Sequence, residues 1–211
     1  MKLYYWCPFF SNIATEKAVI NSIVALNKFS KKKINPYLLD VIGEWDNQKF
    51  NLLDKKIEKH DLLNFKLIKY LPKFGFLKSR FSYIIVFFFS IFRLHKFLKN
   101  QKPDYLIVHL MTFIPLTLLL FFNYKTKIIL RISGHPKLNY LRSLFWKIVR
   151  KKIYLITTPT KSTLTLLNES KIFGLEKLRY LPEPVLNFEE IKKKGFKKDA
   201  NYKKINKGNN I

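Results

Sequence analysis

The densest run of chemically capable side chains is Arg131-Ile132-Ser133-Gly134-His135-Pro136. It combines a guanidinium fork, a hydroxyl and an imidazole, with a glycine that would permit a sharp turn presenting His135. An arginine pointing into a packed layer must be paired there, so Arg131 needs a partner if it faces inward. His109 closes the apolar stretch Ile107-Val108-His109-Leu110. Two readings of it stay open: a histidine bonded to backbone and inert, or a polar group and general base over a crevice. The segment Cys7–Ala14 carries Ser11 and Asn12 and leads to Thr15. If it enters a helix, the free N–H groups there suit an anion or a sugar hydroxyl; the plainer reading is a strand–helix connection capped by Asn12. Thr160 and Glu183 complete the candidates, each just after a predicted strand.

Several chemistries are excluded by what is missing. Cys7 is the only cysteine, and His60, His95, His109 and His135 are scattered, so there is no zinc pattern and no metal is expected. G-x-G-x-x-G, P-loop, G-x-S-x-G and C-x-x-C motifs are absent, and no resident cofactor is expected. No close Asp/Glu pair stands at a predicted strand end, which argues against two-carboxylate hydrolysis. No helix-turn-helix, RRM or KH signature accompanies the charge.

The elements that must position these residues alternate. Strands are read at Lys2–Trp6, Pro36–Ile42, Tyr105–Leu110, Lys127–Ile132, Ile153–Thr157 and Arg179–Leu181. Helices are read at Thr15–Phe29, Phe81–Asn100, Thr112–Asn123, Leu138–Lys151 and Lys161–Ser170, with a short amphipathic piece near Leu52–His60. Runs such as Tyr105-Leu106-Ile107-Val108 do not alternate in polarity, which marks strands buried on both faces of a mostly parallel sheet. The expected fold is therefore a doubly wound, Rossmann-like α/β sandwich over residues 1–188. Residues 189–211 are rich in Lys and Asn and read as a linker or disordered tail. In such sheets ligands bind beyond the carboxyl ends of the strands, where the candidates above all fall.

The 211 residues carry 40 Lys+Arg against 14 Asp+Glu, a formal charge of +26. With 48% apolar and 16% aromatic residues, this is no disordered basic tail. Most of the basic residues are Lys, whereas phosphate and base recognition favours Arg. Solvated lysines from a biased composition, an anionic membrane surface and nucleic acid all remain readings of the charge, nucleic acid the weakest. The early Pro8 excludes a signal-peptide core. Phe81–Phe92 and Met111–Phe122 are shorter than the roughly 20 residues of a spanning helix, and both are read as buried helices, with shallow insertion at a membrane interface as the alternative. A single cysteine fits a reducing, cytoplasmic setting.

Taken in order, several segments resemble the N-terminal half of a GT-B glycosyltransferase of the family 4 (group 1) kind. They are Tyr4-Tyr5-Trp6-Cys7-Pro8-Phe9-Phe10-Ser11-Asn12-Ile13-Ala14-Thr15-Glu16-Lys17, Pro103-Asp104-Tyr105-Leu106-Ile107-Val108-His109-Leu110, Lys127–Pro136, Thr158-Pro159-Thr160-Lys161 and Arg179-Tyr180-Leu181-Pro182-Glu183-Pro184. The resemblance implies transfer of a sugar from a nucleotide-sugar to an acceptor hydroxyl in polysaccharide or glycolipid synthesis, without a metal. It implies that Ser11–Thr15 contact donor phosphate or acceptor, that His109 lines the acceptor side, and that Ser133-Gly134-His135 face the same crevice. It departs from the family in lacking glycines in the first loop and in lacking a second, donor-binding domain after the linker. The expectation is a truncated or split enzyme, inactive or weakly active alone, whose C-terminal half sits on another chain. Its acceptor would be a saccharide or lipid-linked saccharide, and its place the inner face of the membrane. The competing expectation is a basic α/β binding module on an anionic membrane or nucleic acid.

Overall fold

The computed structural model describes residues 1–11, 14–46, 57–72 and 78–184. Its strands are β1 (Lys2–Trp6), β2 (Asn35–Asp40), β3 (Glu58–Asp61), β4 (Tyr105–Val108), β5 (Lys127–Arg131), β6 (Leu155–Thr158) and β7 (Leu178–Tyr180). Its helices are α1 (Ala14–Phe29), α2 (Lys78–Gln101), α3 (Phe113–Phe121), α4 (Tyr140–Val149) and α5 (Lys161–Glu169). The strands form one sheet in the order β3-β2-β1-β4-β5-β6-β7, and every pairing is parallel. This is the doubly wound α/β arrangement expected from the alternation of elements. The tail 189–211 and the boundary at 188 lie outside the described residues.

Side chains alternate across the sheet even where the strands read as unbroken apolar runs. Tyr4 and Trp6 of β1, Leu106 and Val108 of β4, and Ile128 and Leu130 of β5 point to one face. There they pack with Val86 and Leu94 of α2, Ile114 of α3, Trp146 of α4 and Leu167 of α5. Leu3, Tyr5 and Cys7 point to the other face and pack with Val19 and Ile23 of α1. Four helices therefore cover one face and α1 lies on the other.

Two expectations need correction. Residues 52–56 of the predicted amphipathic piece lie outside the described residues, and Glu58–Asp61 is the edge strand β3. Its sequence, Glu-Lys-His-Asp, has no apolar residue; charged edge strands discourage further pairing, so hydrophobic pattern is silent about them. Met111–Phe122 is a core helix as expected, with Ile114, Leu116 and Leu119 buried. Phe81–Phe92 is not: Phe81, Phe88 and Phe92 of α2 are exposed.

The strand order reverses at β1, whose neighbours are β2 and β4. Connections that leave adjacent strands in opposite directions open a crevice at their carboxyl ends. The loop after β4 is tied there: the His109 N–H donates to the Trp6 carbonyl at 2.9 Å, and the Trp6 indole Nε1 to the Leu110 carbonyl at 2.9 Å.

Candidate functional site

Three neighbouring strands end in the same pattern. Ile107-Val108-His109, Ile129-Leu130-Arg131 and Leu155-Ile156-Thr157 each place a polar residue two positions after an apolar one. With a side-chain period of two and the parallel register Val108↔Leu130 and Arg131↔Thr157, these polar residues form a row on the α1 face. All three are buried. The row stands at the carboxyl edge, and Tyr5 of β1 closes it, with ring centroids 5.9 Å from His109.

Arg131 is held on several sides. Its guanidinium donates to the Leu181 carbonyl at 2.9 Å and to the Thr157 hydroxyl at 3.4 Å, and its Nε stands 3.6 Å from the Glu183 carboxylate. Ser133 donates its hydroxyl to the same carboxylate at 2.6 Å. The fold thus joins three sequence candidates, Arg131, Ser133 and Glu183, the last drawn across 50 positions because β7 lies beside β6. Burial lowers the Arg131 pKa from its ordinary value while Glu183 opposes that shift. The guanidinium stays protonated.

His109 is the opposite case. Neither ring nitrogen has a hydrogen-bond partner among the described residues. Burial pushes its pKa down to about 3, and the Arg131 charge adds to the shift. At neutral pH it is a neutral imidazole with one free donor and one free acceptor. Leaving buried polar atoms unpaired costs about 1–3 kcal/mol, so such a group marks a place where a ligand can supply the missing partner.

His109 and Arg131 border two hollows. The larger, about 760 Å³, is also lined by Ser133, Gly134 and His135 on its polar side and by Tyr83, Phe113 and Trp146 on its apolar side. The smaller, about 380 Å³, lies on the α1 face between Tyr5, Ser22, Thr157 and Pro182. The structure therefore brings His109, Arg131, Ser133, Gly134, His135 and Glu183 into one neighbourhood.

The remaining candidates stand apart. Asn12 lies outside the described residues, Ser11 is exposed, and Thr15 is half-buried inside the first turn of α1. Neither Ser11 nor Thr15 borders these two hollows. Thr160 caps α5, its hydroxyl accepting from the Thr163 N–H at 3.2 Å. Gly134 stands at a bend but does not use a glycine's freedom: among the described residues it is Gly43 that has positive φ, and a Cβ at Gly134 would meet nothing within 4 Å. His135 is exposed at the rim.

Sequence reasoning missed two features. Thr157 is the third member of the polar row; the shared spacing at three strand ends was its signal. The second is a carboxylate pair after β2, where none was expected. Glu44 is buried and accepts from the Ile42 N–H at 2.7 Å and the Val41 N–H at 3.1 Å. Burial and the neighbouring Asp40 push its pKa well above the ordinary carboxyl range. Asp40 accepts from Lys59 at 3.0 Å and from the Gly43 N–H at 2.8 Å. This cluster staples the turn after β2. Cys7 is buried, and burial raises its pKa, so the thiol stays protonated and un-nucleophilic. Among the described residues no group of three or more His, Cys, Asp and Glu could hold a metal ion.

No protein-family model matches the chain, and no curated protein matches it in sequence. Solved structures match in fold. UDP-GlcNAc 2-epimerase from Neisseria meningitidis, solved with UDP-GlcNAc, superposes with a TM-score of 0.58 at 18% identity, covering 94% of this chain and 52% of that one. The S. aureus MnaA–UDP structure gives a TM-score of 0.57 at 15% identity, covering 87% of this chain and 44% of that one. CalG4, the calicheamicin glycosyltransferase, gives 0.50 at 8% identity, covering 86% and 52%. The chain thus has a GT-B-like Rossmann fold and spans about half the length of the proteins it matches.

Proposed function

We propose that this chain is the acceptor-side lobe of a sugar-nucleotide-dependent glycosyltransferase, working in the cytoplasm on a saccharide or lipid-linked saccharide. The observation that carries the reading is His109: a neutral, buried imidazole with both nitrogens unpartnered among the described residues, at the carboxyl edge where β1 and β4 part company. A neutral imidazole accepts a hydrogen bond from a sugar hydroxyl and turns that oxygen toward an electrophilic anomeric carbon. With a pKa near 3, it orients the hydroxyl rather than storing its proton. Burial keeps it neutral, the charge of Arg131, fixed by Glu183, Thr157 and Leu181, adds to that, and Ser133 and His135 at the rim suit further sugar hydroxyls. The nucleotide end of the donor is assigned to a second lobe, on a partner chain or elsewhere in a longer one. The resemblance of the sequence motifs to family 4 belongs to this reading.

The test is label transfer. Extract from cells producing the chain is supplied with radiolabelled nucleotide-sugars, and incorporation into lipid and polysaccharide fractions is counted. His109→Ala should reduce incorporation by about 100-fold, the usual cost of misplacing a reacting hydroxyl. Incorporation that does not depend on His109 overturns the reading. A second reading, nucleotide-sugar epimerisation, is favoured by the UDP-GlcNAc 2-epimerases among the similar structures. It is recognised in the same extract by a new epimer of the nucleotide-sugar formed without any acceptor.

A further inference from the structure

Helix α2 carries large apolar side chains on its outer face as well as its inner one, which does not suit a protein surrounded by water. Its core-facing stripe includes Ser82 and Ser90, 1% and 0% exposed, and Ser90 spends its hydroxyl on the Val86 carbonyl at 2.6 Å. Its outer stripe is Phe81, Ile84, Phe88 and Phe92, spaced three to four residues apart, with Phe88 64% and Phe92 77% exposed. Phe121, at the end of α3, is also exposed, and the adjoining Phe122 packs on His95 of α2. Placing serines inside and phenylalanines outside forgoes apolar burial twice, so water is not the natural neighbour of this face.

The charge around the stripe says what the neighbour is. Arg93, Lys96 and Lys99 of α2 are exposed, and the helix contains no Asp or Glu. Asp104 is the only acidic residue between Asp61 and Glu169, a span that includes α2, α3 and α4. Two copies of this face would bring like charges together. An aromatic stripe bordered by basic side chains matches the acyl boundary and phosphates of an anionic bilayer, with the helix lying in the interface. By length and composition α2 could also cross a membrane, but Val86, Leu94 and Phe97 of its inner stripe belong to the core of the sheet domain.

We propose that the outer face of α2 is a docking surface for anionic lipid bilayers. The surface leads to the cleft: an apolar hollow of about 350 Å³ between Tyr83, Phe87, Phe88 and Phe113 shares Tyr83 and Phe113 with the cleft that holds His109. Docked this way, the cleft opens at the lipid surface, and an amphipathic acceptor could present its polar head to His109 while its hydrocarbon stays in the bilayer. That last step rests on the glycosyltransferase reading; the docking itself does not.

Sedimentation with vesicles of phosphatidylcholine, alone or with about 30% phosphatidylglycerol, tests the proposal on the full chain. The wild type should pellet with the anionic vesicles and be released in part by salt. Phe88→Ser/Phe92→Ser and Lys96→Glu/Lys99→Glu should each weaken binding about tenfold or more, with unchanged circular dichroism and melting, since these side chains are exposed. In Phe88→Trp, brominated acyl chains should quench the new indole. The proposal is overturned if the wild type ignores anionic vesicles or if the double variants bind like the wild type. It is equally overturned if the face proves to hold a dimer that Phe88→Ser/Phe92→Ser dissociates. Vesicle binding and His109-dependent label transfer are separate readouts, so either reading can fail without the other.

Discussion

Lowering the pH should destabilise the protein through His109, and replacing that residue should remove the effect. Folded, the imidazole takes a proton only near pH 3; unfolded, it does so near 6.5. Above the unfolded value neither state binds the proton, and the stability contributed by a neutral His109 is fully present. As pH falls below about 6.5 the unfolded chain gains a proton that the folded chain refuses, and stability drops until the folded value is reached. The full span is about 5 kcal/mol at 1.36 kcal/mol per pKa unit, of which about 3 kcal/mol falls between about pH 7.5 and pH 4.5. The perturbation is His109→Leu, which fills the space with an apolar side chain and deletes two unpartnered nitrogens. Urea titrations of both proteins across this range give the difference in unfolding free energy, in which the carboxylates common to both cancel. At neutral pH the variant should match or exceed the wild type, by up to about 3 kcal/mol, because the two unpaired ring nitrogens are gone. Toward pH 4.5 its advantage should grow by about 3 kcal/mol. Parallel pH profiles for the two proteins would refute the picture of a buried, neutral, unpartnered His109.

Other expectations follow from the same contacts. Arg131→Met should cost about 3 kcal/mol or more in urea unfolding, because Glu183 loses its buried partner, and adding Glu183→Gln should recover part of that loss. Thr160→Ala should cost about 1 kcal/mol of thermal or urea stability by uncapping α5. The two glycines should separate in the same assay. Gly43→Ala should cost about 1–3 kcal/mol, since φ is +87° and a Cβ would stand 2.9 Å from that of Lys66. Gly134→Ala should stay within about 0.5 kcal/mol, with open space around it.

The sheet was legible because β1, β4 and β5 are apolar runs separated by helical spacing, and parallel strands buried on both faces look like that. The polar strand ends His109 and Arg131 were legible one at a time. That they form a row with Thr157 was not, because it depends on the register between strands rather than on any one of them. The Ser133–Glu183 bond was out of reach for a related reason: it spans 50 positions and exists only because β7 lies beside β6. The apolar run of α2 misled in a different way. A helix apolar all round shows no preferred face, so the sequence could not say that Ser82 and Ser90 turn inward while Phe88 and Phe92 turn out. Asp40 and Glu44 escaped because their value as a pair comes from burial, which neither residue type suggests.

The most direct measurement of the central claim is the imidazole ¹⁵N spectrum of His109 in the labelled chain, titrated with nucleotide-sugars and with acceptor saccharides. The expected result is a neutral imidazole whose ring-nitrogen shifts move saturably with a sugar ligand, a response lost in Arg131→Met. A His109 signal unmoved by every sugar ligand, or one already protonated at neutral pH, would contradict the assignment of this cleft to a sugar hydroxyl.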